Sequence, residues 1–487
     1  MHFLAALENP GMKSVLCLYE GVATGAADGW YRMKEAPACT LLHLGPGLAN
    51  GLSNLHNARK AGSGIVNIVG EHSSHHLKYD APLTSDIEGL ARPLCHWVRR
   101  VNTVASVGID AAAAVAQARS RPGLISTLIL HGETSWSAGG EPVLTHSKQA
   151  ELKKPDPILV DGIARVLLSG EPTLMVLAGR SLRADTLELA GRIAAKTGCR
   201  LATQFFSARV ERGAGRVSIE RIPYLVDAAV PFLKGVKHII TIETGEPIAF
   251  FSYPGKPSQM KPADCAVHSF VEADEDSAGG LEMLVEAVGA RNVNPKLQAR
   301  AEQGLPTGRL DSKSIALALA AALPENAILV DESLTTGRET FGFTAGAAPH
   351  DQLQNMGGSI GFSLPVATGA ALASPDRRVV CMVGDGSAMY TIQSLWTQAR
   401  EGLNVTTIVF ANNAYQVLKM EYASMGVGTP GPRALSMMEI DKPRIDWVAI
   451  GKGMGCPSVR VEDTEAFFKA MKDSFAAQGP MLIEVAL

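Results

Sequence analysis

The chain has 487 residues, a formal net charge of −3, and 46% hydrophobic against 19% charged residues. At about 150 residues per domain the length suggests three domains, and the near-neutral balance argues against nucleic acid or an anionic membrane as the main partner. The seven cysteines form no C-x-x-C pair, the N-terminus MHFLAALENP has no basic region, and no apolar run approaches the ~18–20 residues of a membrane span; a cytoplasmic location is expected.

In residues 1–146, LCLYEGVATGAADGWYR (16–32) reads as a small-residue helix with Glu20 near its start. ACTLLHL (38–44) and GIVNIVG (64–70) read as buried strands, and GLANGLSNLHNARKA (47–61) reads as a glycine-opened helix between them, a βαβ unit. GEHSSHHLKYD (70–80) gathers three histidines and a glutamate, but the spacing matches no zinc pattern and a solvated loop is expected, with His72 nearest the strand end. Residues 147–157 read as a linker. The block 158–290 continues with a helix, the strand TLMVLAG (173–179) and a long helix; its turn carries one glycine, Gly179, which is weak evidence for a dinucleotide. After a second linker at 291–310, the block 311–487 holds the strands AILVDE (327–332), RVVCMVGDG (378–386) and VTTIVFANN (405–413). The pattern predicts an α/β chain of three doubly wound domains with mostly parallel sheets. VATGAA occurs at 22–27 and at 366–371, each time in a helix before a strand that ends in Gly-X-Gly, which suggests two similarly built domains.

The third block carries the sharpest chemistry. Asp385 lies between Gly384 and Gly386 at one strand end, and Asn412 and Asn413 close the next. Neighbouring parallel strands bring their carboxyl ends together, where α/β sheets bind ligands. A carboxylate, an amide oxygen and a backbone carbonyl are hard oxygen ligands that suit Mg²⁺ completed by phosphate oxygens. Gly386 allows close approach of a phosphate, and Ser387 at the helix start can donate to it.

GDG followed by NN on adjacent strand ends resembles the thiamine-diphosphate enzymes, in the group of acetolactate synthase, pyruvate oxidase and benzoylformate decarboxylase. The resemblance spans essentially the whole chain and implies a pyrimidine-binding (PYR) domain, a central domain and a diphosphate-binding (PP) domain. It implies thiamine diphosphate and Mg²⁺ as cofactors, with Asp385, Asn413 and the backbone carbonyl of Tyr415 as metal ligands. Ser333, Leu334 and Thr335 in DESLTT would lie against the diphosphate. NMGGSIGFSLPVATGAA (355–371) resembles the segment under the thiazolium, with Gly358 in it and Ile360 as the prop that bends the cofactor. Glu20 matches the glutamate that hydrogen-bonds the aminopyrimidine, and it would come from a different subunit than Asp385, in a homodimer or a dimer of dimers. His43 in LLHLGPG matches an active-site histidine of benzoylformate decarboxylase-like enzymes, whereas the adjacent GPG is similar to acetolactate synthases; Ser252 stands near the position of the decarboxylase's second histidine. FAD, bound by the central domain in acetolactate synthase and pyruvate oxidase, is not expected here but stays open. The family normally has a further strand and loop before the position of Met1, which puts the activity of this chain in question.

The expected function is decarboxylation of a 2-oxo acid with carboligation, acetolactate synthase-like. The alternatives are a non-ligating aryl or branched-chain 2-oxo acid decarboxylase and a catalytically silent cofactor-binding paralogue. A nicotinamide dehydrogenase lacks support, since no strand-linked G-x-G-x-x-G with a later acidic residue stands out.

Overall fold

The computed structural model describes residues 2–8, 11–143, 152–301 and 304–487, so part of the expected 147–157 linker lies outside the described residues. The first sheet takes β1 (Ala38–Leu42), β2 (Ile65–Glu71), β3 (Trp97–Val101) and β4 (Ile125–His131) in the order β1-β2-β4-β3, all parallel. The middle segment supplies β5 (Thr173–Leu177), β6 (Arg200–Thr203), β7 (Val210–Arg212), β8 (Glu220–Arg221), β9 (His238–Ile242) and β10 (Ala266–Val271). Five of these form a parallel sheet ordered β10-β9-β5-β6-β8. The third sheet uses β11 (Ala327–Glu332), β12 (His350–Gln354), β13 (Val379–Gly384), β14 (Val405–Ala411), β15 (Ser458–Val461) and β16 (Met481–Ala486) in the order β15-β16-β14-β13-β11-β12-β7. It is parallel except where β7 joins it antiparallel to β12.

The near-continuous apolar runs in β13 and β14 fit strands covered on both faces: from Val379 to Val383 and along the whole of β14 every residue is buried. Among the described residues no helix is long and apolar enough to cross a membrane.

The two VATGAA copies do more than mark similar units. They lie in the helices Glu20–Lys34 and Ser363–Ala373, and these helices pack on each other. A Cβ at Gly29 would sit 2.1 Å from the Val366 carbonyl oxygen, and one at Gly369 would sit 1.9 Å from that of Ala26. Only residues without a side chain let two helix backbones come this close. One detail of the expected pattern is corrected: Gly45-Pro46-Gly47 is not a turn closing β1 but part of the first turns of a helix, Leu44–Ala61. Proline is tolerated there because the first N–H groups of a helix have no intrahelical partner.

Candidate active site

Ser333, Leu334, Thr335, Gly384, Gly386 and Ser387 line one cleft, together with Asp385 and Tyr415. It opens at the carboxyl ends of β11, β13 and β14, where the third sheet brings adjacent parallel strands into register. Asp385 is only 2% exposed. Its Oδ1 accepts from the Gly386 amide at 2.8 Å and its Oδ2 from the Asn413 amide at 2.6 Å. Burial pushes its pKa up, against the pull of the backbone amides of Asn413 and Gly386. Among the described residues it belongs to no ion pair. Asn413 takes a left-handed backbone (φ 56°) and donates its Nδ2 to the Ala411 carbonyl at 3.4 Å, which leaves Oδ1 open as an acceptor. Asn412 supports the loop by accepting from the Ala414 amide at 3.0 Å. The Tyr415 carbonyl accepts from the Leu418 amide at 2.9 Å and keeps a second lone pair. A buried carboxylate, an amide oxygen and a carbonyl oxygen are a donor set that fits Mg²⁺.

Two of these residues also make contacts within the fold. The Ser333 hydroxyl donates back to Asp331, which shapes the loop. Gly386 makes room for the Tyr415 ring, since a Cβ there would lie 2.4 Å from Tyr415 Cε1. Gly384 faces open space, with no atom within 4 Å of where its Cβ would be. Leu334 is exposed, at φ 49°.

The segment from Asn355 to Ser363, which carries Gly358 and Ile360, is held from several sides. Asn355 Oδ1 accepts from the amides of Gly357 and Gly358, at 3.1 and 2.8 Å. Asn57 exchanges two hydrogen bonds with the Ser359 backbone, at 2.9 and 3.1 Å. Glu332, buried at the end of β11, accepts from the amides of Gly361 (3.0 Å), Phe362 (3.3 Å) and Ser363 (2.8 Å), and so caps the helix bearing the second VATGAA. Burial raises its pKa while these amides lower it. Ile360 is half-buried in this fixed segment. Sequence reading missed Glu332, Asn57 and Asn355. One signal was available: Asn50, Asn54 and Asn57 recur at helical spacing inside a helix, where asparagine is disfavoured unless its amide has a partner.

Glu20 opens the helix Glu20–Lys34, half-buried, and its Oε2 accepts from Asn50 Nδ2 at 3.1 Å. His43 is exposed and precedes the helix Leu44–Ala61. Gly47 brings the two together: a Cβ there would be 3.2 Å from Glu20 Oε1 and 3.3 Å from His43 Cβ. Neither residue lines the cleft around Asp385. His72 is half-buried beside the His76 ring (centroids 5.3 Å apart), and no cluster of three His, Cys, Asp or Glu suited to a metal occurs among the described residues. Ser252 is exposed between Phe251 and Tyr253.

In the middle sheet, Gly179 (φ 56°) follows β5 in the place where a dinucleotide pyrophosphate would meet backbone amides. Those amides are already taken: Glu243, at the end of β9, accepts from Arg180 N and Ser181 N, each at 2.9 Å. Its Oε2 would lie 2.1 Å from a Cβ at Gly179, and burial raises its pKa.

Asp385 is thus a buried acid at adjacent strand ends with no ion-pair partner among the described residues. The chain belongs to the thiamine-pyrophosphate enzyme family: it matches the family's N-terminal TPP binding domain over residues 1–90 and its C-terminal TPP binding domain over 339–485. It is 47% identical, over 100% of this chain and 94% of the relative, to a Mycobacterium tuberculosis (strain ATCC 25618 / H37Rv) protein named "Putative acetolactate synthase large subunit IlvX". It is 26% identical to the benzoylformate decarboxylase of Pseudomonas aeruginosa, over 97% and 91% of the two chains. Among solved structures, the fold is similar to a thiamine diphosphate-dependent 4-hydroxybenzoylformate decarboxylase of Rhodococcus jostii RHA1 (TM-score 0.84, 24% identity, 100% and 94% coverage). It is also similar to the benzoylformate decarboxylase of Polynucleobacter necessarius (TM-score 0.86, 21% identity, 100% and 93% coverage).

Proposed function

We propose that this chain is a thiamine-diphosphate- and Mg²⁺-dependent enzyme that decarboxylates a 2-oxo acid and joins the acyl unit to a second carbonyl, as acetolactate synthases do. The observation that carries the reading is Asp385, a 2%-exposed carboxylate at the cleft with no ion-pair partner among the described residues. An unpaired buried carboxylate is costly, and a divalent cation removes that cost. Asp385, Asn413 Oδ1 and the Tyr415 carbonyl would hold Mg²⁺; Leu334, Thr335 and Ser387 would face the diphosphate; Ile360 would support the ring system. When bound, thiamine diphosphate supplies the nucleophilic carbon and the electron sink for loss of CO₂. The chain's own residues bind and orient. Glu20 would hydrogen-bond the pyrimidine ring through Oε1 while Asn50 fixes Oε2. Glu20 and Asp385 of one site come from two subunits of a homo-oligomer.

A second reading, protonation and release of an aldehyde, is favoured by His43, which sits beside Glu20 across Gly47 and is free to deliver a proton. No flavin takes part in either, because Glu243 fills the anion position of the Gly179 turn. Calorimetric titration with thiamine diphosphate, with and without Mg²⁺, tests the cofactor reading; absence of Mg²⁺-dependent binding overturns it. Product analysis with a panel of 2-oxo acids then separates the fates: acyloin products support ligation, aldehyde alone supports release, and binding without turnover supports the silent paralogue. A flavin titration checks the Gly179 turn, and quenching of FAD fluorescence by the wild-type chain counts against it.

A further inference from the structure

The loop after β11 carries Ser333, Leu334, Thr335 and Thr336 along the wall of the cleft. Leu334 takes a left-handed backbone there (φ 49°), which a residue with a side chain rarely adopts. Such a conformation persists only where its surroundings hold it from several sides. Two of the side chains that hold this loop come from the middle segment of the chain. Arg212, at the end of β7, is 4% exposed. Its guanidinium donates to Gln352 Oε1 and Thr344 Oγ1, each at 2.8 Å, and to the Phe341 carbonyl. Gln352, on β12, passes the contact on. Its Nε2 donates to Asp331 Oδ2 at 3.2 Å, and Asp331 Oδ1 accepts from the Ser333 amide at 3.1 Å. Arg221, on β8, donates from Nη2 to the Arg338 carbonyl at 3.1 Å. Both guanidinium groups also stack on the Phe341 ring, 3.7 and 4.4 Å from its centroid. Arg338 in turn stacks over Tyr224, which adjoins the rings of Phe205 and Phe250 beside Gly358. The loop is thus held at Ser333, where it leaves the strand, at Arg338, and at the helix Thr340–Phe343 that ends it.

Filling space does not account for these arginines. Among the described residues neither belongs to an ion pair. Burial pushes the pKa of Arg212 down to about 9 and that of Arg221 down to about 10, and Asp331 is the acid that counters this for both. A guanidinium in the interior without a paired carboxylate is costly, and an apolar side chain of similar volume avoids that cost. What only Arg212 supplies is a rigid fork that reaches acceptors on a strand and a helix at once; a lysine ammonium is a point charge and cannot span them.

We infer that Arg212 and Arg221 are positioning residues for the diphosphate of the cofactor: they set the affinity of the cleft by fixing the loop Ser333–Thr336, although neither lines the cleft itself. This inference rests on the reading of the cleft as a Mg²⁺ and thiamine-diphosphate site. Calorimetry on the full chain, with Mg²⁺ present, measures binding of thiamine diphosphate and of inorganic pyrophosphate to the wild type, Arg212→Lys and Arg221→Met. Both variants are expected to weaken both ligands about tenfold or more, the scale at which residues behind the ligands of a metal site are felt. The loss falls on affinity and not on kcat of the loaded enzyme, and the pH at which Mg²⁺-dependent binding fails stays where Asp385 sets it. Hydrogen exchange of the cofactor-free chain gives a readout without any ligand: the amides of 333–340 are expected to exchange faster in the variants, and those of the helix Ser363–Ala373 are not. Unchanged affinity in folded variants overturns the inference. So does a lower kcat at unchanged affinity, or faster exchange spread over the whole third sheet, which marks general loosening. Arg221 is half-buried and makes one hydrogen bond to the loop, so Arg221→Met keeps the test open if Arg212→Lys does not fold. A wild type that binds pyrophosphate but not thiamine diphosphate sinks the parent reading alone, and pyrophosphate then decides the role of the arginines. A wild type that binds neither overturns both.

Discussion

Burial raises the proton affinity of Asp385, so protons compete with a divalent cation for it. Mg²⁺-dependent cofactor affinity is therefore expected to fall as pH drops through the raised pKa of Asp385, by about tenfold per pH unit below it. Calorimetry across pH 5 to 8 checks this, and Asp385→Asn, which has no proton to lose, is expected to lose Mg²⁺-dependent binding at every pH. The metal-free fold responds with the opposite sign. A carboxyl whose folded pKa is raised binds its proton more tightly when folded, so its cost to stability is present at neutral pH and is relieved as pH falls through the raised value. Glu332 shares the direction of shift but has a different task, since its two oxygens accept from three backbone amides. Glu332→Gln replaces one acceptor by a donor facing a buried N–H. We expect a loss of about 1–3 kcal/mol, measured by denaturant unfolding at neutral pH and accompanied by weaker cofactor binding, because the segment bearing Ile360 loosens.

At the scale of elements, the two VATGAA helices meet backbone to backbone. Gly369→Ala improves helix propensity by about 1 kcal/mol, but its Cβ would stand 1.9 Å from the Ala26 carbonyl oxygen, an atom that cannot move without parting the helices. Overpacking of this kind costs about 1–3 kcal/mol or more, so the variant is expected to be net destabilised, read as a lower urea midpoint at unchanged m. Gly162→Ala is the control: it lies in the helix Pro157–Leu168 with nothing within 4 Å of the new Cβ and is expected to be stabilised by about 0.5–1 kcal/mol. This pair of helices also shows what the sequence made legible. Their small residues, the apolar runs of β13 and β14, and the Asp385–Asn413 spacing all follow local rules; in the structure the Asn413 amide donates to Asp385, while Asp385 and Asn412 line the cleft and Asn413 does not. That the two repeats embrace one another is a contact between distant segments, which no local pattern encodes. The same holds for the Glu243 cap on the Gly179 turn, the return of the Ser333 hydroxyl to Asp331, and rings at 205, 224 and 250 gathering beside Gly358. GPG was misread for another reason: glycine and proline mark a turn or the first turn of a helix equally well, and only the following residues decide.

For the whole molecule, the separation of Glu20 from the cleft around Asp385 is the decisive feature. Glu20 sits with Asn50, His43 and Gly47, whereas Asp385 sits in a cleft that contains none of them. If one site is built from the Glu20 end of one subunit and the Asp385 end of another, damage to the two ends can be segregated. Consider Glu20→Ala and Asp385→Asn as separate homodimers, each with every site broken. In a mixed dimer, one site combines both substitutions and the other has neither. Random reassociation gives about half mixed dimers, each with one intact site of two, so about one quarter of wild-type activity is expected to return in a two-fold symmetric assembly. Co-expression of the two variants, followed by turnover and by counting of thiamine-diphosphate sites, measures this recovery. If both residues served a site within one chain, every chain in the mixture would remain broken and no activity would return, and the two-subunit assignment of Glu20 and Asp385 would fall.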